Sequence, residues 1–129
     1  MKEIEYLLFP KIIFWFFFLS KIFCCYVTPD SKTPIEDNTY DAMLCSAGMF
    51  PGSIVPQAFK ELLRIVKPGG ILAWNIADNY EGFNEFFLSC DKIFEEHTKN
   101  GDWEPIVWKK KDENMLFEDS AFTWVVRKK

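Results

Sequence analysis

A proline followed by two glycines, at positions 68 to 70, constrains the fold of this 129-residue chain more than any other feature. Residues 61–76 read ELLRIVKPGGILAWNI, so an apolar helical pattern precedes the KPGG segment and an apolar strand pattern follows it. Pro68 disfavours helical geometry at the residue before it, and it lacks the N–H group that a continuing helix needs. Gly69 and Gly70 can adopt positive φ, so the chain can turn tightly there. The junction therefore predicts a helix that ends at a tight turn, followed by a strand at residues 71–76.

Another strand is predicted one helix upstream of this junction. Residues 40–46, YDAMLCS, have an apolar centre at 42–45, which is typical of a strand buried on both faces in a parallel sheet. Pro56 suits the first turn of the following helix, where its missing N–H would have no partner. The helix carries one apolar face, formed by Val55, Ala58, Phe59, Leu62, Leu63 and Val66. Lys60, Glu61 and Arg64 lie away from that face. The whole segment predicts a right-handed βαβ unit with parallel strands.

The rest of the chain adds a second helix and two further strands. An apolar stripe indicates the helix, and Asn100-Gly101 is a suitable stop for it. The stripe consists of Phe83, Phe86, Phe87, Cys90, Ile93 and Phe94. Residues 103–109 and 121–127 read as strands, and four of their aromatic residues are interpreted as core: Trp103, Trp108, Phe122 and Trp124. His97, among charged helical residues, is expected to be solvated. The predicted order is β-α-β-α-β-β, with a hairpin closing the sheet.

Charge and cysteine content exclude several classes of function. A net charge of -4 supplies no polybasic surface for nucleic acid, so we expect no nucleic-acid partner. The four cysteines, at 24, 25, 45 and 90, match neither a CxxC metal pair nor a secreted disulfide scaffold. We therefore expect no metal site and a reducing, cytoplasmic location, with Cys45 and Cys90 as small core residues. The chain also has no GxSxG motif, and nothing pairs a cysteine with His97 for hydrolysis.

The amino-terminal segment, residues 1–27, differs in character from residues 28–129. Residues 6–27 are almost wholly apolar, but Pro10, Lys11 and Lys21 interrupt them. The longest uninterrupted run, residues 12–19, is shorter than the roughly 20 residues that a membrane-spanning helix needs. Three interpretations stay open: a membrane anchor or targeting signal, a buried element of the core, and an artefact of the gene model. The gene-model interpretation rests on codon composition, because T-rich and A-rich DNA encodes Phe, Ile, Leu and Lys.

The element order, together with two sequence segments, resembles the second half of a class I S-adenosylmethionine-dependent methyltransferase. The segments are TPIEDNTYDAMLCSAGMF and QAFKELLRIVKPGGILAWNI. They are similar to the type 11 methyltransferase domain, and in particular to the methyltransferase-like proteins of the Williams–Beuren region. The resemblance covers residues 33–127. It implies an α/β fold with an incomplete Rossmann-like methyltransferase sheet, made of strands four to seven and two helices.

The resemblance also implies S-adenosylmethionine as cofactor, but most of the family's cofactor cradle is missing. The chain contains no GxG, and thus no glycine-rich turn that would let the backbone approach a cofactor. By resemblance, Cys45, Ser46, Ala47 and Gly48 would contact the methionine part of the cofactor, and Asp30 the adenine. Ligands of open α/β sheets bind beyond the carboxyl ends of the strands. Loops 46–53 and 77–83 are therefore the predicted places for substrate contacts, with these polar groups at the second: Asn75, Asp78, Asn79 and Tyr80.

Two functions from different classes follow. The first is a methyltransferase-like protein, truncated and inactive alone because the glycine-rich loop is missing, whose methyl acceptor is a small molecule or a protein. No catalytic residue is nominated, since methyl transfer needs alignment of donor and acceptor more than acid–base groups. The alternative is a non-enzymatic scaffold or binding protein that keeps half of the fold and associates with a membrane through residues 6–27.

Overall fold

The computed structural model describes residues 21, 23–79, 81–113 and 120–129. Three predictions concern residues outside this range and stay predictions. They are the interpretations of the apolar run at 12–19, the packing of that run on the open side of the sheet, and a contact role for Tyr80. Within the described residues, no helix has the length and apolar character needed to cross a bilayer.

Four strands form one mixed sheet, and two helices connect them. Strand β1 is Tyr40–Cys45; a 3₁₀ turn, Pro56–Ala58, leads into helix α1, Phe59–Ile65. Strand β2 is Val66–Ala77, helix α2 is Phe83–Asn100, and strands β3 and β4 are Trp103–Asp112 and Ala121–Lys128. The strands lie in the order β1-β2-β4-β3. β1 and β2 are parallel, whereas β4 is antiparallel to both of its neighbours, so the predicted fold class is confirmed.

The junction between α1 and β2 is tighter than the sequence suggested. We expected the strand to begin at Ile71, but it begins at Val66, and residues 67–70 form a bulge against β1. Tyr40 pairs with Val66 and Ala42 already pairs with Ile71, so Pro68 lies where no ladder hydrogen bond is needed. Gly69 has φ of 80°. At Gly70 a Cβ would come within 2.8 Å of backbone carbonyl oxygens, so only glycine fits there without a shift.

The core lies between one face of the sheet and the two helices. Phe59 of α1 and Phe94 of α2 both contact Trp74 of β2. Their ring centroids lie 4.6 Å and 4.8 Å, respectively, from that of Trp74. Trp74 also stacks on Trp124 of β4 at 6.0 Å. Trp103 completes the buried aromatic cluster, so the interpretation of Trp103 and Trp124 as core residues is confirmed. Trp108 and Phe122 are half-buried and pack against this core. The opposite face of β2 is only half-buried; it carries Ile71, Ala73, Asn75 and Ala77.

Strand β1 is not buried on both faces, contrary to the prediction from its apolar run. Leu44 is 78% exposed, and Ala42 is exposed as well. The reason is position in the sheet: among the described strands, β1 pairs only with β2 and therefore forms an edge. An apolar run indicates burial only if neighbouring elements cover both sides of the strand.

Two polar residues are less exposed than their sequence context suggested. Glu61, expected on the solvated side of α1, is 8% exposed because Thr33 and Arg64 enclose its carboxylate. The side chain of His97, expected to be solvated, is 17% exposed. Its Nδ1 lies 2.7 Å from Asp102 Oδ2, and its ring packs on Trp103. Both differences arise from partners on a neighbouring segment, which helical periodicity does not reveal.

Candidate functional site

The loop after β1 is held in shape by its own hydrogen bonds. Ala47 has φ of 53°, a left-handed conformation that turns the chain sharply away from the strand. Phe50 N donates to Ser53 Oγ at 2.8 Å, and Ser53 N donates to Phe50 O at 3.0 Å. The Ser53 hydroxyl also lies 2.8 Å from Gly48 O. The loop at 46–53, predicted from the strand order, is therefore a compact turn.

The predicted cofactor-contacting residues at the end of β1 lie together in this turn. Cys45 and Gly48 approach so closely that a Cβ on Gly48 would be 2.7 Å from Cys45 Sγ. Burial raises the pKa of the Cys45 thiol, so the thiol stays protonated and is a poor nucleophile at neutral pH. Ser46 and Ala47 are exposed. A contact between these residues and a cofactor stays a prediction.

Asn75 connects the loop to the neighbouring strand. Its side-chain Oδ1 accepts a hydrogen bond from Ala47 N at 2.9 Å. Asn75 lies on β2 and Ala47 follows β1, so the bond spans 28 residues of sequence. It satisfies a backbone N–H that the left-handed turn would otherwise leave without a partner. The carboxyl ends of the two parallel strands are thereby tied to each other.

An open apolar cleft of about 300 Å³ lies beside this connection. Its lining comes from the loop after β1, from the end of β2 and from the segment before α2: Ala47, Met49, Phe50, Pro51, Ala77 and Glu81. Met49 is buried, whereas Phe50 is 47% exposed at the rim. Of the described residues that line the cleft, Glu81 is the one with a carboxylate. The cleft can therefore accept a ligand with an apolar or aromatic body and a cationic group.

The end of β2 is also tied to β4. Ser120 Oγ donates to Asp78 Oδ1 at 2.5 Å, and Asp78 N donates to Ser120 O at 3.1 Å. The Ser120 hydroxyl, with Lys111 at 3.4 Å, keeps the pKa of Asp78 below its usual value. Asp78 is thus an anchored carboxylate as well as a turn residue. It also lines a more polar depression next to the cleft, shared with Glu81, Gly82, Phe83, Asn84 and Glu85.

Asp30, the predicted adenine-contacting residue, lies elsewhere. It lines a separate depression with Lys32, Lys60 and Arg64, on the outer side of α1. The structure therefore brings Cys45 to Gly48 together, and does not bring Asp30 to them. Among the described residues, no group of three or more His, Cys, Asp or Glu side chains is placed to hold a metal ion.

The residues present suit one side of an S-adenosylmethionine site. The cleft supplies apolar surface, an exposed aromatic ring and a carboxylate, which complement a cationic sulfonium and an amino-acid ammonium group. A glycine-rich turn, whose backbone could approach a nucleoside closely, is missing from the sequence, which has no GxG. The chemistry of the cleft is therefore compatible with one part of such a site, and the sequence has no counterpart for the glycine-rich part.

Sequence reasoning identified the two loops but missed most residues that line the cleft. Met49, Phe50 and Pro51 fall inside the predicted loop 46–53, and Glu81 falls inside the predicted loop 77–83. Nothing in the residues themselves distinguished these side chains from ordinary turn residues. The bond from Asn75 to Ala47 was not predictable, because its two ends are 28 residues apart and neither residue type requires it.

Comparison with solved structures gives distant matches that span part of each protein. The N-methyltransferase NodS from Bradyrhizobium japonicum WM9, solved with S-adenosyl-L-homocysteine, matches with a TM-score of 0.48 and 10% identity, over 78% of this chain and 50% of that chain. Two structures of a candidate DNA modification methylase from Thermus thermophilus match with TM-scores of 0.37 and 0.38, at 14% and 13% identity, over 74% of this chain and 48% of theirs. This chain thus spans about half the length of the solved structures it matches.

Comparison by sequence gives one family. No curated protein matches the chain at significant similarity. The family model of the methyltransferase domain matches residues 19–74, a range that includes β1, the loop at 46–53, α1 and most of β2. These are the elements on which the resemblance was based, since the match contains both YDAMLCSAG and KPGG. The match confirms that resemblance over residues 19–74, which are less than half of the 129-residue chain, and the chain is similar to the methyltransferase domain there.

Proposed function

We propose that the chain takes part in S-adenosylmethionine-dependent methyl transfer, and that the cleft between the loop at 46–53 and the end of β2 is one wall of the cofactor site. The observation that carries the proposal is the position of this cleft. It lies beyond the carboxyl ends of two parallel strands, where ligands of open α/β sheets bind. The part of its lining that comes from the loop at 46–53 falls inside the segment that matches the methyltransferase domain. The methyl acceptor is a small molecule or a protein in the cytoplasm, and not a nucleic acid.

Each part of the wall has a role in this proposal. S-adenosylmethionine, when bound, supplies the methyl group as a sulfonium. Phe50 and Met49 exclude water from the apolar side, and the Glu81 carboxylate favours a cationic ligand over a neutral one. The hydrogen-bonded turn around Ser53 fixes the position of these side chains. Rate then comes from holding donor and acceptor in line, since no acid–base residue is required.

Residues 1–129 alone are expected to bind the cofactor weakly. The glycine-rich turn and the ribose-binding carboxylate have no counterpart in the sequence, and Asp30 lies away from the cleft. Each lost charged or bidentate hydrogen bond typically removes about 1.5–3 kcal/mol, so three such losses carry a micromolar affinity into the millimolar range or beyond. Titration calorimetry of the purified chain with S-adenosylmethionine or S-adenosylhomocysteine should therefore detect no binding at micromolar concentrations.

A hybrid protein provides the matched control. Replacing residues 1–27 with the glycine-rich amino-terminal half of a related methyltransferase should restore measurable binding, because the wall at 46–53 is already in place. Micromolar binding by the unmodified chain would contradict the expected inactivity and establish that the chain has a complete cradle. A folded hybrid that fails to bind would contradict the proposed role of the cleft.

One observation favours the alternative function, a non-enzymatic scaffold or binding protein that retains half of the fold. Leu44 on β1 is 78% exposed and Tyr26 is 87% exposed, which are large fractions for apolar side chains. A scaffold would keep its interactions when the cleft is blocked. Substituting Ala47 with Arg in the hybrid separates the two functions, because methyl transfer should stop while binding of any protein partner should continue.

A further inference from the structure

Two adjacent cysteines, Cys24 and Cys25, are free and exposed. They lie in a stretch at 23–28 that is outside any helix or strand. Val27 packs against the hydrophobic core, and Tyr26, which separates it from the cysteines, is 87% exposed. The pair of thiols therefore lies on the surface, close to the residue that attaches this stretch to the core.

The other two cysteines differ from this pair in the properties that determine thiol reactivity. Burial raises the pKa of the Cys90 thiol to about 12, and it also raises the pKa of the half-buried Cys45 thiol. The thiolate is the nucleophilic form of cysteine, and a reactive thiol must also be accessible to its reactant. Chemical modification of this chain should therefore select Cys24 and Cys25.

Neither a disulfide within the pair nor a bound metal ion suits these two thiols. Cα atoms joined by a trans peptide bond lie about 3.8 Å apart, whereas the Cα atoms of a disulfide usually lie about 4.4–6.8 Å apart. The described residues contain no cis peptide bond. They also contain no third His, Cys, Asp or Glu side chain placed to complete a metal site with the pair. Both thiols are thus left available to an external reactant.

The sequence beside the pair indicates which kind of reactant. Residues 12–20 carry no charged residue, and Lys21 follows them. The Lys21 ammonium lies 4.7 Å from the centroid of the Phe23 ring, so a cation and an aromatic ring directly precede the two thiols. Cysteines that follow an apolar run with a flanking cation are typical sites of reversible S-acylation near a membrane surface.

We propose that Cys24 and Cys25 are S-acylation sites through which a long-chain fatty acid attaches the chain to a membrane. The co-reactant is a long-chain acyl thioester. The cysteine Sγ attacks the acyl carbonyl carbon, the bond from that carbon to the carrier sulfur breaks, and the carrier thiol leaves with the proton that the cysteine gives up. Stable anchoring requires two signals, because one acyl chain alone binds a bilayer only marginally. Two acylated thiols, or one together with the apolar run, supply them. This inference does not depend on the cofactor cleft.

The test uses the full chain, expressed in cells that are supplied with alkyne-labelled palmitate. After coupling to a fluorophore, the natural sequence should carry label that neutral hydroxylamine removes, since hydroxylamine cleaves thioesters. The double variant Cys24→Ser, Cys25→Ser should fall to background, and each single variant should retain part of the label. Tyr26→Ser changes the exposed neighbour and keeps both thiols, so this matched control should be labelled like the natural sequence.

Flotation of the purified, labelled chain with phosphatidylcholine vesicles measures the anchoring. A single acyl chain with an association constant of about 10⁴ M⁻¹ gives a bound-to-free ratio of about 10 at about 1 mM lipid. The natural sequence should reach at least this ratio, and the double variant should fall well below it. An unlabelled natural sequence, a label that resists hydroxylamine, or a label that the double variant retains would overturn the assignment of the sites. Equal flotation of the two chains would overturn their anchoring role.

Discussion

Replacing Glu61 by glutamine tests the least expected structural feature, a buried carboxylate on the polar side of a helix. Glu61 Oε1 accepts hydrogen bonds from Thr33 N at 2.8 Å and Thr33 Oγ1 at 2.7 Å. Arg64 donates from Nε at 2.8 Å and from Nη2 at 2.5 Å. These bonds fasten the segment before β1 onto α1. In Glu61→Gln the amide nitrogen would face the donors of Arg64, and the charge opposite Arg64 would be lost.

The expected magnitude follows from the acidity of the group. The hydrogen bonds from Arg64, assisted by those from Thr33 and opposed by burial, lower the pKa of Glu61 from 4.5 to about 2. Because one pKa unit corresponds to about 1.36 kcal/mol, the ionised form contributes about 3 kcal/mol to folding. We expect Glu61→Gln to lower the free energy of unfolding at neutral pH by about 2–3 kcal/mol, since the amide retains the bonds from Thr33.

The sign of the pH dependence is determined by the lowered pKa. A group that is more acidic when folded contributes its full stabilisation above the unfolded pKa, and loses it as the pH falls through the folded pKa. The difference between the natural sequence and Glu61→Gln should therefore be constant above pH 4.5 and shrink between pH 4.5 and about 2. Urea unfolding followed by tryptophan fluorescence, repeated across this pH range, measures that difference.

An exposed glutamate on α2 provides the control. Glu95 lies 3.8 Å from Lys99, and its side chain is 50% exposed. Glu95→Gln makes the same chemical change, but solvent-exposed pairs of this kind contribute only about 0.3–0.5 kcal/mol. If Glu61→Gln destabilises the protein no more than Glu95→Gln does, or if its effect persists undiminished near pH 2, the assignment of Glu61 as a structural carboxylate is wrong.

Two further predictions concern the packing around α1. Gly70→Ala should lower the free energy of unfolding by about 3 kcal/mol, because its Cβ would lie 2.8 Å from two backbone oxygens. Gly69→Ala should lower it by only about 1 kcal/mol, because Gly69 has a positive φ but open space around it. Equal effects of the two substitutions in urea unfolding would contradict the bulge geometry. Lys128→Met should cost about 1–2 kcal/mol, because the ammonium lies 2.7 and 2.8 Å from carbonyl oxygens at the end of α1. Lys129→Met, at an exposed position, should leave the urea concentration at the unfolding midpoint unchanged. A similar loss of stability in both variants would argue against the bonds from the Lys128 ammonium to the end of α1.

The βαβ unit was predictable because its signals are local. Pro68 excludes helix, the glycines after it permit a turn, and the apolar spacing of α1 identifies its buried face without reference to any distant residue. The same local reasoning failed for Leu44, because burial of a strand depends on what lies on its far side. It failed for Glu61 because the partner that encloses it, Thr33, is 28 residues away. A charged residue on the polar side of a helix is indistinguishable in sequence from a solvated one.

For the cleft, too, the location was predictable from the sequence but the side-chain contacts were not. The place of the cleft was predictable from topology, since two parallel strands with adjacent carboxyl ends define where an open α/β sheet has a crevice. The side chains that shape it were not, because Asn75 meets Ala47, and Asp78 meets Ser120, only after the sheet has formed. These are long-range contacts between residue types that often lie in turns with no such partner. The sequence therefore predicted the two loops but not the hydrogen bonds that hold them in place.

Under the proposed function, those hydrogen bonds also determine how a cofactor site without a glycine-rich turn should behave. Asn75 holds the loop at 46–53 against β2, and Ser120 holds the end of β2 against β4, so the wall of the cleft is formed without any contribution from a ligand. A preformed wall has little conformational entropy left to lose when a ligand binds. If the proposed function is correct, weak binding by this chain should therefore reflect missing contacts and not disorder. Supplying a glycine-rich turn should accordingly raise affinity by what the new contacts contribute, with no further cost for ordering the loop.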